Sequence, residues 1–374
     1  MEPASATRRI LALDGGGLRA FFTLEVLARV EKFVRERLGR PDAVLADHFH
    51  LFAGTSTGAI VGALLAWGLP VDEVRAIYRE TARGMFRRDR NPLAWVLRAR
   101  YREDPLAAAL RRFFVEADGR EATLGSPRLR ALYLAVVRNA STGSAWPLCS
   151  HPALRYNDPA LPDSNLRVPL WQIVRASTAA PTYFAPERIT LGAVSHQFVD
   201  GGVTPYNNPA LIAALMVTEP AYGIGWPGGE ERLYVLSVGT GRRRVRYRDT
   251  GARRWSWQGS LPVVMKKTLA TLIEGSTMQQ DFLCRVLGRC LYGAEIDGEV
   301  GSLTQSASDD AEESGWGRRF SYARYNSEFP EDLFGPVLSR YGGSVPMDVP
   351  ALIPAFEAMG RRYADECVRA EHLR

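Results

Sequence analysis

The stretch Phe49-His50-Leu51-Phe52-Ala53-Gly54-Thr55-Ser56-Thr57-Gly58, continued by Ala59-Ile60-Val61-Gly62-Ala63-Leu64-Leu65, constrains the fold more than any other part of the chain. A short apolar run, a G-x-S-x-G turn and a second apolar run read as buried strand, tight turn and buried helix. Gly54 and Gly58 leave room for strand and helix to pack closely on either side of the turn. Ser56 then sits on a strained turn, its hydroxyl exposed at the positive end of a helix. Thr55, Ser56 and Thr57 equally suit an ordinary helix N-cap, so the pentapeptide alone leaves nucleophile and cap both open.

A second unit of the same kind precedes it. Arg9-Ile10-Leu11-Ala12-Leu13 reads as a buried parallel strand that ends in Asp14-Gly15-Gly16-Gly17-Leu18-Arg19-Ala20. A helix is expected from about Phe21 to Leu38, with Leu24, Leu27, Val30 and Val34 on one face, stopped by Gly39 and Pro41. Two successive strand-loop-helix units predict a parallel α/β sheet. Further strands are expected at Leu132–Val137, Gln197–Val199 and Leu233–Val238, and helices at Val71–Thr81 and from Leu170 to Ala176. Cys149–Arg167, the arginines at 242–244, 246 and 248 and the polar, acidic Gly301–Gly317 read as loops, and the remainder as helical. With 374 residues and 46% hydrophobic content, the chain suits one large domain over 1–374.

The triple glycine admits three readings. Gly15-x-Gly17-x-x-Ala20 fits a dinucleotide fingerprint, against which stands the Asp14 carboxylate beside any pyrophosphate. A plain structural turn is the second. The third is an anion nest, in which backbone N–H groups of small residues face a developing oxyanion and Arg19 braces the loop or adds charge.

The formal charge is +6, and only Lys32, Lys266 and Lys267 are lysines among 47 basic residues. Acids and bases are interspersed, so the charge does not argue for nucleic-acid binding, and a mild attraction to anionic membrane surfaces is compatible with it. Cys149, Cys284, Cys290 and Cys367 form no C-x-x-C pair, which predicts neither disulfides nor a metal centre. The segment from Met1 to Arg9 carries no signal-like apolar core, and no run of 18 apolar residues occurs, so a cytoplasmic protein is expected. Residues 85–114 are basic and aromatic. They read as a solvated helical face over an apolar stripe or, more sharply, as a membrane-surface element.

A serine hydroxyl needs a base. His48 and His50 precede Ser56 on its own strand, His151 lies in a loop, and His372 lies in a tail expected to fray. His196 stands four residues before Asp200, out of the Ser, Asp, His order of α/β-hydrolases. Asp200-Gly201-Gly202 closes a short strand, which makes a direct Ser56–Asp200 dyad attractive. A turn-forming aspartate is its plain alternative.

Four motifs in order, Asp14-Gly15-Gly16-Gly17-Leu18-Arg19, Gly54-Thr55-Ser56-Thr57-Gly58, Ala176-Ser177-Thr178-Ala179-Ala180-Pro181 and Asp200-Gly201-Gly202, resemble the patatin-like phospholipases. The similarity spans residues 9–241, and 242–374 match less clearly. The resemblance implies a three-layer α/β/α fold with a mixed, mostly parallel sheet, and a lipid acyl hydrolase with a Ser–Asp dyad and no cofactor or metal. It implies Ser56 as nucleophile, Asp200 as catalytic aspartate, and Gly15, Gly16, Gly17 and Arg19 as the oxyanion loop. Ala20 departs from the glycine usual there, and a methyl group is tolerated where φ is negative. The implied substrate is a phospholipid or related lipid met at a membrane surface. Its acyl chain is expected along Phe21, Phe22, Leu64 and Phe184. Some bacterial members are effectors switched on by cyclic nucleotides, so the resemblance admits a small-molecule activator. The rivals are a His-dependent serine esterase or acyltransferase using His151 or His196, and a nucleotide-binding regulatory protein using Gly15 to Ala20.

Overall fold

The computed structural model describes residues 7–85, 104–181, 183–243, 261–304, 317–341 and 345–374. Its strands are β1 Arg8–Leu13, β2 Leu51–Thr55, β3 Leu132–Asn139, β4 Ser144–Cys149, β5 Glu187–Leu191, β6 Val194–Asp200, β7 Leu233–Val238, β8 Arg289–Tyr292 and β9 Ser321–Tyr325. The main helices are α1 Ala20–Leu38, α2 Thr57–Ala66, α3 Val71–Met85, α4 Asp104–Phe113, α5 Leu170–Ser177, α6 Ala210–Thr218, α7 Leu261–Leu287, α8 Glu331–Arg340 and α9 Ile353–Cys367.

The described strands join one sheet in the order β5-β6-β3-β2-β1-β7-β9-β8, with β4 on β3. Neighbours from β3 through β2, β1, β7 and β9 to β8 are parallel, while β4, β5 and β6 pair antiparallel. The strands alternate their apolar side chains between two cores, as a sheet covered on both faces must. Leu11, Leu13, Phe52 and Ala135 face a core shared with α1, α2, α3, α5 and α9. Ile10, Ala12, Ala53 and Leu134 face one shared with α6 and the C-terminal part of α7. The result is the three-layer α/β/α architecture expected, with a mixed, mostly parallel sheet.

The region beyond Gly241 is not simply helical. It supplies β8 and β9, and β9 pairs in parallel with β7. The run Ser321-Tyr322-Ala323-Arg324-Tyr325 is fully buried, so its two faces are both covered and it shows no helical stripe. The C-terminal tail does not fray either. The His372 ring stacks on Tyr292 with centroids 4.5 Å apart, and Tyr234 donates a 2.6 Å hydrogen bond to the His372 carbonyl. Of the basic aromatic stretch, residues 86–103 lie outside the described residues. The described α4 buries Leu106 and Leu110 and carries Arg111 and Arg112 outward. Residues 305–316 of the acidic loop and the arginines at 244, 246 and 248 also lie outside. Among the described residues no helix is long and apolar enough to cross a membrane.

Candidate active site

The site forms where β2 stops. From Leu51 to Ala66 every residue is buried except Ser56, which is half-buried. Ser56 has φ 54° and ψ −123°, in the region L-residues avoid, at a cost of order 1–3 kcal/mol. The neighbouring glycines have steric reasons. A Cβ on Gly54 would lie 2.2 Å from the Gly58 carbonyl oxygen, and one on Gly58 would lie 2.3 Å from that of Leu13. Strand and helix touch backbone to backbone there. Helix α2 is apolar all round, as a helix enclosed by sheet and neighbours must be.

Strand register brings the acid to the serine. Residues 134–136 of β3 pair with both β2 and β4, and residues 137–139 pair with both β4 and β6. Strands β2 and β6 therefore share one edge of β3. Thr55, the last residue of β2, is opposite Val136, and Asp200, the last residue of β6, is opposite the next position, Val137. Ser56 and Asp200 meet where the two strands abut. The Ser56 hydroxyl donates to Asp200 Oδ2 at 2.6 Å across 144 positions of sequence. The other oxygen, Oδ1, accepts the Gly202 N–H at 2.7 Å.

Asp200 is buried, at 4% exposure. Burial pushes its pKa up to about 6, against the opposing pull of the Ser56 and Gly202 hydrogen bonds and the Arg175 charge. Ser177, from the third motif, accepts the Ser56 N–H at 2.9 Å and donates to the Val136 carbonyl at 2.6 Å. That bridge ties the strained residue to β3.

The glycine loop lies beside this pair. A Cβ on Gly15 would come within 3.0 Å of the Ser56 Cβ. Gly17 has φ +57°. The Gly15 N–H donates to the Asn207 carbonyl at 3.3 Å, and the Gly16 N–H to Thr57 Oγ1 at 3.2 Å. The Gly17 N–H has no acceptor among the described residues. Arg19 folds back, its Nε donating to the Gly16 carbonyl at 3.3 Å and its guanidinium 5.9 Å from the Phe329 ring. Asp14 is turned away from Ser56. Its carboxylate takes both terminal nitrogens of the buried Arg324, at 2.8 and 2.5 Å. Burial alone would lower the Arg324 pKa, but the Asp14 carboxylate outweighs it and raises it. Sequence reasoning misses Arg324, because only a single charge in an apolar run marks it.

The histidines lie apart from the dyad. His50 Nδ1 accepts the Arg9 N–H at the other end of β2, and burial pulls His48 down to about 3. His151 accepts the Ala153 N–H, while His196 meets Asn139 and packs tilted against Trp146, ring centroids 5.3 Å apart. The expected acyl groove is also not formed by the residues named for it. Phe21 closes on Tyr78, with centroids 5.1 Å apart, and Phe22 on Tyr363 at 5.4 Å. Leu64, on α2, is buried as well, and so is Phe184, beyond α5, with the Arg175 guanidinium 5.5 Å from its ring.

Comparison with known proteins adds to this geometry. Residues 11–214 match the profile described as patatin-like phospholipase. The chain is 34% identical to a cGAMP-activated phospholipase of Vibrio cholerae over 54% of this chain and 56% of that protein. It is 30% identical to a cGAMP-activated phospholipase of Escherichia coli over 62% of each. It is also 30% identical to patatin-like protein 1 of Oryza sativa subsp. indica over 73% of this chain and 68% of the relative. The chain thus spans 56% and 62% of the lengths of its two bacterial relatives. The profile covers more than half of the residues, and the chain belongs to the patatin-like phospholipase family.

Proposed function

We propose that this chain is a serine lipid acyl hydrolase, cleaving fatty acyl esters of phospholipids or related lipids through a Ser56–Asp200 dyad. The observation that carries the reading is the 2.6 Å hydrogen bond from a hydroxyl on a strained turn to a buried carboxylate. A carboxylate with a pKa near 6 is a base matched to neutral pH.

In the proposed cycle Ser56 Oγ attacks the acyl carbonyl carbon while its proton passes to Asp200 Oδ2. The oxyanion is received by the glycine loop, with the Gly17 N–H as the donor that has no acceptor among the described residues and Arg19 as a nearby positive charge. The tetrahedral intermediate collapses, the ester C–O bond breaks, and Asp200 returns the proton to the departing alkoxide. Water then attacks the Ser56 ester, gives its proton to Asp200, and releases the fatty acid as Ser56 is reprotonated. The lipid is met at a membrane surface, with the protein peripheral to it. The two bacterial relatives are named for activation by cGAMP, and that favours a second element: a cyclic dinucleotide as activator of this chain too.

The test is incubation with a fluorophosphonate followed by peptide mapping, with and without cGAMP. Adduct on Ser56 is expected. Ser56→Ala and Asp200→Asn should each lose at least about 10³-fold in phospholipid hydrolysis while remaining folded. Full hydrolysis by Asp200→Asn would reject the dyad, and a labelling rate indifferent to cGAMP would reject cGAMP as the activator.

A further inference from the structure

Asn207 comes shortly after the Asp200 turn and is 5% exposed. Its carbonyl accepts the Gly15 N–H at 3.3 Å. Its side-chain Nδ2 donates to Thr277 Oγ1 of α7 at 3.0 Å and approaches the Gly15 carbonyl at a long 3.5 Å. Thr277 Oγ1 spends its own proton on the Ile273 carbonyl, at 2.8 Å. The hydroxyl can then only accept, which fixes which end of the Asn207 amide faces it.

The other end, Oδ1, therefore points between the two arms of the site. A Cβ on Gly15 would lie 2.6 Å from Asn207 Oδ1 and 3.0 Å from the Ser56 Cβ. A Cβ on Gly202 would lie 3.0 Å from Asn207 Oδ1 and 3.1 Å from Asp200 Oδ1. One amide thus fills the space that both glycines leave open. It touches the loop beside the nucleophile on one side and the turn that holds the carboxylate on the other.

We propose that Asn207 is a positioning residue, held by Thr277, that keeps the Gly15 peptide and the Asp200 turn in register with Ser56. The inference rests on the reading of Ser56 and Asp200 as nucleophile and base. Its physical content is that the orientation of the Gly15 peptide sets the direction of the amides after it. A loosened loop then weakens the transition state more than the bound substrate. Removing a direct oxyanion donor costs on the order of 10²–10³ in rate, and a residue acting through the loop is expected to cost about 10- to 100-fold in kcat.

The experiment uses the full chain and a soluble p-nitrophenyl acyl ester as probe. Asn207→Ala and Thr277→Val should lower kcat by that factor with KM changed by less than about threefold, and Thr277→Ser should restore kcat. Asn207→Asp adds a second carboxylate near Asp200, which otherwise meets the Ser56 hydroxyl, the Gly202 amide and the Arg175 charge. The acid limb of its kcat/KM profile should move to higher pH than in the parent. Unchanged kcat in Thr277→Val, or a loss that Thr277→Ser does not repair, overturns the inference, as does a kcat loss matching the unfolded fraction. If Asn207→Asp folds and its acid limb stays in place, the inference falls as well. A parent protein that neither turns over the ester nor takes phosphonate on Ser56 rejects the Ser56–Asp200 reading itself, and this inference with it.

Discussion

At the residue scale the site turns on how burial tunes one carboxylate. Asp200 is raised to about 6 by burial, so in the proposed cycle it is an ionised base above that pH and a protonated acid below it. The rate kcat/KM should fall about tenfold per pH unit below about 6 and level off above. Stability runs the other way. A carboxyl with its folded pKa above the unfolded value binds its proton more tightly when folded. Its contribution is fully present below about pH 4 and lost as pH rises through about 6, up to about 3 kcal/mol. Asp200→Asn should therefore melt above the parent at pH 8 and close to it at pH 4.5. A melting difference independent of pH would contradict the assigned burial effect. Ser56 and Asp200 were legible because each lies in a short motif with its own turn chemistry. The partners of the glycine amides were not. Asn207 and Thr57 take the Gly15 and Gly16 amides through contacts that no local pattern encodes.

At the element scale, the antiparallel return of β6 onto β3 creates the site. A purely parallel sheet would leave the end of β2 facing a loop. Here β6 continues the edge that β2 vacates, one register position beyond Thr55. Strand β9 acts on the other side of β1, where its Arg324 neutralises Asp14 under the glycine loop and also donates to Ser237 at 2.7 Å. Removing one member of a buried ion pair leaves the other charge stranded, at a cost of about 3–5 kcal/mol. Arg324→Met should lose stability in that range by urea unfolding, and Asp14→Asn combined with Arg324→Met should lose less than Arg324→Met alone. Equal losses would show that the pair is not the source. The apolar runs of β1, β2 and β7 were readable because each leads into a glycine turn, and that of β3 because it is an unbroken apolar run from Leu132 to Val137. Strands β8 and β9 were not readable, because their runs are only four and five residues long, carry Arg289 and Arg324, and show neither alternation nor a helical stripe.

At the scale of the whole molecule, the four motifs end by Gly202, yet the sheet and the glycine loop depend on the C-terminal third of the chain. Strand β9 satisfies the open edge of β7, α9 packs on α1 where a Cβ on Gly360 would lie 2.7 Å from the Glu25 Cβ, and Thr277 reaches Asn207. Truncation after Gly241 should give a chain without a cooperative melt, read by circular dichroism; a folded, active fragment would show that 242–374 are dispensable. The sequence by itself determined the α/β class, the elbow at Ser56 and the Asp200 turn, because glycine spacing and apolar runs act within a few residues. The tertiary structure added the hydrogen bond between Ser56 and Asp200, which the motifs had led one to expect, and it alone decided the partners no motif names: Arg324 for Asp14 and Asn207 for Gly15. Those choices are set by strand order and register, which join residues far apart in the chain and leave no local trace.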